Sequence, residues 1–102
     1  MDTLILPKPA YNVLRRLTGE TRPDVALSIA LKDLVRLRLE AAQAVISTYE
    51  EQYGMPFGEF QQAWQDGRIS AQYSYAVEGD YLAWEAADSD VKALQDLAES
   101  MA

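Results

Sequence analysis

Apolar side chains recur at three- and four-residue intervals through most of this chain, the periodicity of helices that bury one face. The longest such stripe carries Leu27, Leu31, Leu34, Val35, Ala42, Val45, Ile46, Tyr49 and Tyr53, and neither Pro nor Gly interrupts it before Gly54. It predicts one helix over about residues 22–53, ~45 Å long at ~1.5 Å per residue, which outruns a compact monomer. Val25, Ile29 and Leu37 fall off the stripe, so the start of this helix is apolar nearly all round. Burial on several sides is provided more readily by an entwined dimer than by one short neighbouring helix. Arg38 breaks the stripe, and its charge calls for solvent or for an acid across an interface.

Before the long helix, Leu4 and Leu6 alternate with Thr3 and Ile5, while Pro7 and Pro9 exclude a helix interior, so Thr3 to Lys8 reads as a short strand. A lone strand must pair, and no second strand pattern follows, which points to the same strand of another copy. A short helix is expected from Ala10 through Leu17, ending at Gly19, with Thr21 capping the long helix and Pro23 in its first turn. After Gly54, Phe57, Phe60, Ala63 and Trp64 share a face of a third helix, and Asp66-Gly67 make a turn. Two more short helices are expected, from Tyr75 to about Ala87 and from a cap at Ser89 to the C-terminus.

The predicted fold is therefore mainly α: a short N-terminal β-strand able to form an intermolecular ribbon, a short helix, one long helix, then three short helices. The expected entwined homodimer meets through Leu4, Leu6, Leu27, Leu31, Leu34 and Val35. Residues 1–53 form the dimerisation head, and residues 54–102 an acidic helical region that binds a partner.

Composition narrows the function. The 102 residues include no Cys and no His, which removes disulfides, the usual zinc ligands, the thiolate nucleophile and the imidazole base. A non-enzymatic protein without cofactor or metal is expected. The brief apolar run Leu4-Ile5-Leu6 is far short of a membrane span or a signal sequence, which places the protein in the cytoplasm with no membrane partner. The net charge of −7 is uneven. Residues 1–38 hold seven bases against four acids, and residues 39–102 hold two bases against twelve acids, so the two ends suit different partners.

The order strand, short helix, Gly19 loop and longer helix opened by Thr21-Arg22-Pro23 resembles a ribbon-helix-helix unit over residues 2–38. The resemblance implies a ribbon whose outward side chains enter the DNA major groove, here Thr3, Ile5 and Lys8, with Thr21 and Arg22 near the phosphate backbone. Ile5 has no hydrogen-bonding tip, Thr3 discriminates little, and the overall charge opposes attraction to phosphates. The ribbon thus fits dimerisation at least as well as operator binding.

The most distinctive stretches are Tyr53-Gly54-Met55-Pro56-Phe57-Gly58-Glu59-Phe60 and Ser74-Tyr75-Ala76-Val77-Glu78-Gly79-Asp80-Tyr81-Leu82-Ala83-Trp84-Glu85. They resemble the Y-G-M-x-F and S-Y-x-V-E-x-D-Y-x-x-W-E elements of small acidic antitoxins of toxin–antitoxin systems, over residues 49–87. The resemblance implies direct neutralisation of a cognate toxin encoded by a neighbouring gene, with autoregulation of the operon as a companion role. Tyr75, Glu78, Asp80, Tyr81, Trp84 and Glu85 combine aromatic anchors with acids, a mixture suited to a partner with a basic groove. Val77, Tyr81 and Trp84 also fall at helical spacing and fit a role in the chain's own core. The alternative readings are a ribbon-helix-helix transcriptional regulator and a helical adaptor without DNA binding.

Overall fold

A computed structural model describes residues 5–101, and among them every regular element is helical. Helix α1 spans Lys8–Thr18, α2 Pro23–Tyr53, α3 Phe57–Gln65 and α4 Tyr75–Ser100. Local sequence accounts for the breaks. Gly19 and Gly54 sit at φ of 75° and 69°, left-handed geometry that ends α1 and α2 and that residues with a Cβ rarely adopt. Pro23 occupies the first turn of α2, where its missing N–H costs nothing. Ser74 caps α4 by accepting a hydrogen bond from the Val77 N–H at 3.2 Å.

The long helix predicted over 22–53 is present as α2. Arg22, not Thr21, holds its N-cap position, and no side chain caps it there. Two further expectations are corrected. The two C-terminal helices are one helix of 26 residues, α4, in which Ser89 is interior rather than a cap. A serine capping motif weighs little against Glu85, Ala86 and Ala87 before it and Lys92, Ala93 and Leu94 after it when the helix lies along a long neighbour. The described part of the predicted strand is not a strand either: Ile5, Leu6 and Pro7 have no regular structure, and Lys8 already belongs to α1. Pro7 and Pro9 suit a helix start as well as they suit an extended segment. Thr3 and Leu4 lie outside the described residues.

The architecture is an antiparallel α2/α4 hairpin with α3 packed across its closed end and α1 against its open end. Tyr49 and Tyr53 of α2 lie beside Trp84 of α4, Ala42 beside Ala87, and Val35 and Leu39 beside Ala98 and Met101. Counted along this register, α4 ends opposite Lys32 to Leu39. The first turns of α2 therefore extend past it, where α2 packs against α1 and Ala26 is fully buried. The Tyr11 hydroxyl fixes this packing by donating to the Thr21 carbonyl at 2.6 Å.

The result is elongated, 56 × 23 × 19 Å, with a radius of gyration of 19.4 Å against ~13 Å for a compact chain of this length. Its accessible surface is 7358 Å², where a compact monomer of this mass exposes about 5,800 Å². Exposed large apolar side chains gather at the open end: Leu17 is 75% exposed and Ile5 84%, with Val13, Leu31, Leu34 and Leu37 also exposed. No described helix is long and apolar enough to cross a membrane.

Candidate partner-binding surface

At the closed end of the hairpin the aromatic residues assemble around Trp84. Its ring is fully buried, with Tyr49 and Tyr53 stacked at centroid distances of 5.6 and 5.8 Å and Phe60 and Phe57 tilted at 4.9 and 5.4 Å. The spacing explains the assembly. Tyr49 and Tyr53 are one turn apart on α2, and the Gly54-Met55-Pro56 turn folds α3 back so that Phe57 and the fully buried Phe60 cover the indole. Trp64 and Tyr81 extend the cluster, with centroids 4.7 Å apart. The Trp84 indole nitrogen has no hydrogen-bond partner among the described residues.

A polar layer closes the cluster on one side. The Tyr53 hydroxyl donates to Asp80 at 2.6 Å, and the Gln52 amide donates to the same carboxylate oxygen at 3.0 Å. Burial, followed by the hydrogen bond to Asp80 and its negative charge, pushes the Tyr53 hydroxyl up from 10.0 to about 12. The Gln61 amide donates to the Tyr81 hydroxyl at 3.3 Å, and the Gln72 amide, in the loop before α4, donates to the Trp64 carbonyl at 2.9 Å.

The six residues singled out in the acidic stretch thus divide. Trp84, Tyr81 and Asp80 turn inward, as core, cluster edge and hydrogen-bond acceptor. Tyr75, Glu78 and Glu85 follow the outer flank of α4 at helical spacing; Tyr75 is 96% exposed, Glu78 exposed and Glu85 half-buried. The same flank presents Leu82, 64% exposed, which the sequence reading passed over. Its signal was the 75, 78, 82, 85 spacing, masked because the motif drew attention to the residues with distinctive chemistry. Tyr73, also exposed, stands just before the helix with its ring edge toward Trp64.

Glu85 also lines a cleft of about 430 Å³ between α3 and α4, with Phe57, Gly58 and Gln61 on one wall and Asp88, Ser89 and Lys92 on the other. Lys92 is held by Asp88 at 3.1 Å, whereas Glu85 has no ion-pair partner among the described residues. The cleft therefore offers a carboxylate beside an aromatic ring, a setting that receives a cationic side chain. Among the described residues, no three carboxylates converge to hold a metal ion.

The residues assigned to other roles are spread over the open end. Of the expected dimer contacts, Leu31 and Leu34 are exposed, Leu6, Leu27 and Val35 are half-buried, and Leu4 lies outside the described residues. Val35 is partly covered by the end of α4 in the same chain. Of the residues assigned to DNA, Ile5, Lys8, Thr21 and Arg22 are exposed, and Arg22 is paired to Asp24 at 2.9 Å. Ile5 and Lys8 line one shallow hollow with Leu6, Tyr11 and Pro23. Thr3 lies outside the described residues. No protein family, curated protein or solved structure was found to match the chain.

Proposed function

We propose that this chain is a binding protein without catalysis of its own that neutralises a small basic toxin, the antitoxin of a toxin–antitoxin pair. The observation that carries the binding surface is the outer flank of α4, where the exposed Tyr75 and Leu82 alternate with Glu78 and Glu85. Apolar and aromatic anchors interleaved with carboxylates give contact area and selectivity for positive charge together. The Glu85 cleft supplies a place where a lysine or arginine of the partner is received. The assignment to a toxin rests on the resemblance of residues 49–87 to acidic antitoxins and on the net charge of −7. Trp84 and Tyr81 anchor the same helix to the aromatic core, so the flank is presented on an already folded element, which limits the ordering cost of binding.

The test is co-expression with the product of the adjacent reading frame, a short basic protein on this reading, followed by light scattering of the purified species. A stable complex of both chains is expected. Leu82→Asp and Tyr75→Ala each weaken it about tenfold or more, while helicity is retained because both side chains are exposed. A chain that purifies alone beside a harmless neighbour overturns the reading.

A further inference from the structure

The α2/α4 hairpin has a face that neither α1 nor α3 covers. On α2, Leu27, Leu31, Leu34, Arg38, Ala41 and Val45 follow a strict four–three spacing, and all but Leu27 are exposed. On α4, Ala76, Gly79, Ala83, Ala86 and Asp90 continue the same rhythm and are all exposed, with Leu97 beyond them. Alternate spacings of three and four are the seam of helices that pack at a shallow angle onto other helices. Where they run side by side, over Arg38, Ala41 and Val45 on α2 and Ala83, Ala86 and Asp90 on α4, the seams border one groove of about 620 Å³, floored mainly by alanine.

We infer that this face is occupied by a second copy of the chain, two hairpins joining into a four-helix bundle. Charge selects the occupant. The seams contain one cation, Arg38 on α2, and one anion, Asp90 on α4; both line the groove, and neither is in an ion pair among the described residues. A two-fold axis running along the hairpin lays α2 of each copy over α4 of the other. Along the observed register Arg38 is then offset from the second copy's Asp90 by about five residues, ~7 Å, within reach of an extended arginine. The pair forms twice, as an isologous interface requires. The opposite, antiparallel dyad stacks α2 on α2 and leaves the two charges facing their own kind.

Size and shape agree. From Asp80, which faces the end of α2, to Ser100 the two-helix face is ~30 Å long, and it covers roughly 600 Å² per copy, the lower end of the range for a specific interface. The surface the chain exposes beyond a compact monomer, 7358 Å² against about 5,800 Å², is ample to supply it. The small residues at Ala76, Gly79, Ala83 and Ala86 permit close helix approach, and a Cβ at Gly79 meets nothing within the chain. Both open ends emerge together, bringing the exposed Ile5, Val13 and Leu17 of the two copies to one end. On α4 this face adjoins the flank of Tyr75, Glu78, Leu82 and Glu85, turned from it by about 90°, and the inference is argued from Arg38, Asp90 and the groove rather than from the toxin-binding reading.

The full-length chain, R38D and D90R are compared by sedimentation equilibrium and circular dichroism, alone and as an equimolar mixture of the two variants. The wild type is expected to be a dimer. Each variant dimerises about tenfold or more weakly at unchanged helicity. The mixture recovers dimer, because the carboxylates at positions 38 and 90 of the R38D chain then face the guanidinium groups at positions 90 and 38 of the D90R chain. A monomeric wild type, variants that dimerise as tightly as it does, or a mixture that fails to recover dimer overturns the inference.

Discussion

The closed and open ends of the hairpin use similar amounts of apolar sequence to opposite effect. At the closed end three elements converge, so Trp84 and Phe60 are fully buried and Tyr49, Tyr53, Phe57, Trp64 and Tyr81 lie against them. At the open end α1 and the last turn of α4 meet α2 at different levels rather than together, and the one residue driven to full burial is Ala26. Leu17, Leu31, Leu34 and Leu37 are as apolar as anything at the closed end and remain in contact with water. Apolar content therefore marks a core only where topology supplies a third wall. Where it supplies two, the same residues make an association surface.

This comparison predicts a steep gradient of mutational effects. Trp84→Ala removes the centre of the aromatic cluster and is expected to cost ~3–5 kcal/mol, read as a lower midpoint in urea; a cost below ~1 kcal/mol would mean the cluster does not organise the closed end. Tyr53→Phe keeps the ring but takes a donor from Asp80, with an expected loss of ~1–2 kcal/mol.

The same substitution sharpens the alkaline behaviour. Because the folded Tyr53 hydroxyl titrates at about 12 against an ordinary 10.0, the unfolded chain loses this proton first as pH rises. The stabilisation is fully present below about pH 10, falls as pH climbs toward about 12, and is gone once the folded group has ionised. Tyr53→Phe is expected to flatten that part of the pH–stability curve, and an unchanged slope would assign the alkaline loss to other groups.

Ser74→Ala deletes the cap of α4 and is expected to cost ~1 kcal/mol, visible in denaturation and in faster amide exchange at Val77. The smallest effect belongs to the open end. Leu31→Ala in the dilute, monomeric chain is expected to change stability by ~0.5 kcal/mol or less, although the same deletion in the closed-end core would cost several times more. A loss above ~2 kcal/mol in the monomer would show that the open end has a core of its own.

Much of this was legible in the residues. The long α2, its stop at Gly54, the end of α1 at Gly19 and the aromatic face of α3 follow from periodicity and from local backbone preferences, which act over a few residues and need no partner. The acidic flank was legible in part. Tyr75, Glu78 and Glu85 were selected by their chemistry, but so were Trp84 and Asp80, because one motif on one helix projects in every direction and its sequence does not mark which direction faces another element.

Sequence alone determined that this protein is helical, that its long helix exceeds what a compact monomer needs, and that its ends differ in charge, since each of these is a sum or a period of residue properties. Tertiary structure decided the rest. It fused the two expected C-terminal helices into α4, because a 31-residue neighbour offers continuous support that outweighs a capping serine. It sent Trp84 inward and Leu82 outward, because burial is fixed by where α2 and α3 lie rather than by hydrophobicity. It also set Arg38 and Asp90 on one uncovered face, a relation between residues 52 positions apart that only the antiparallel register of the hairpin creates.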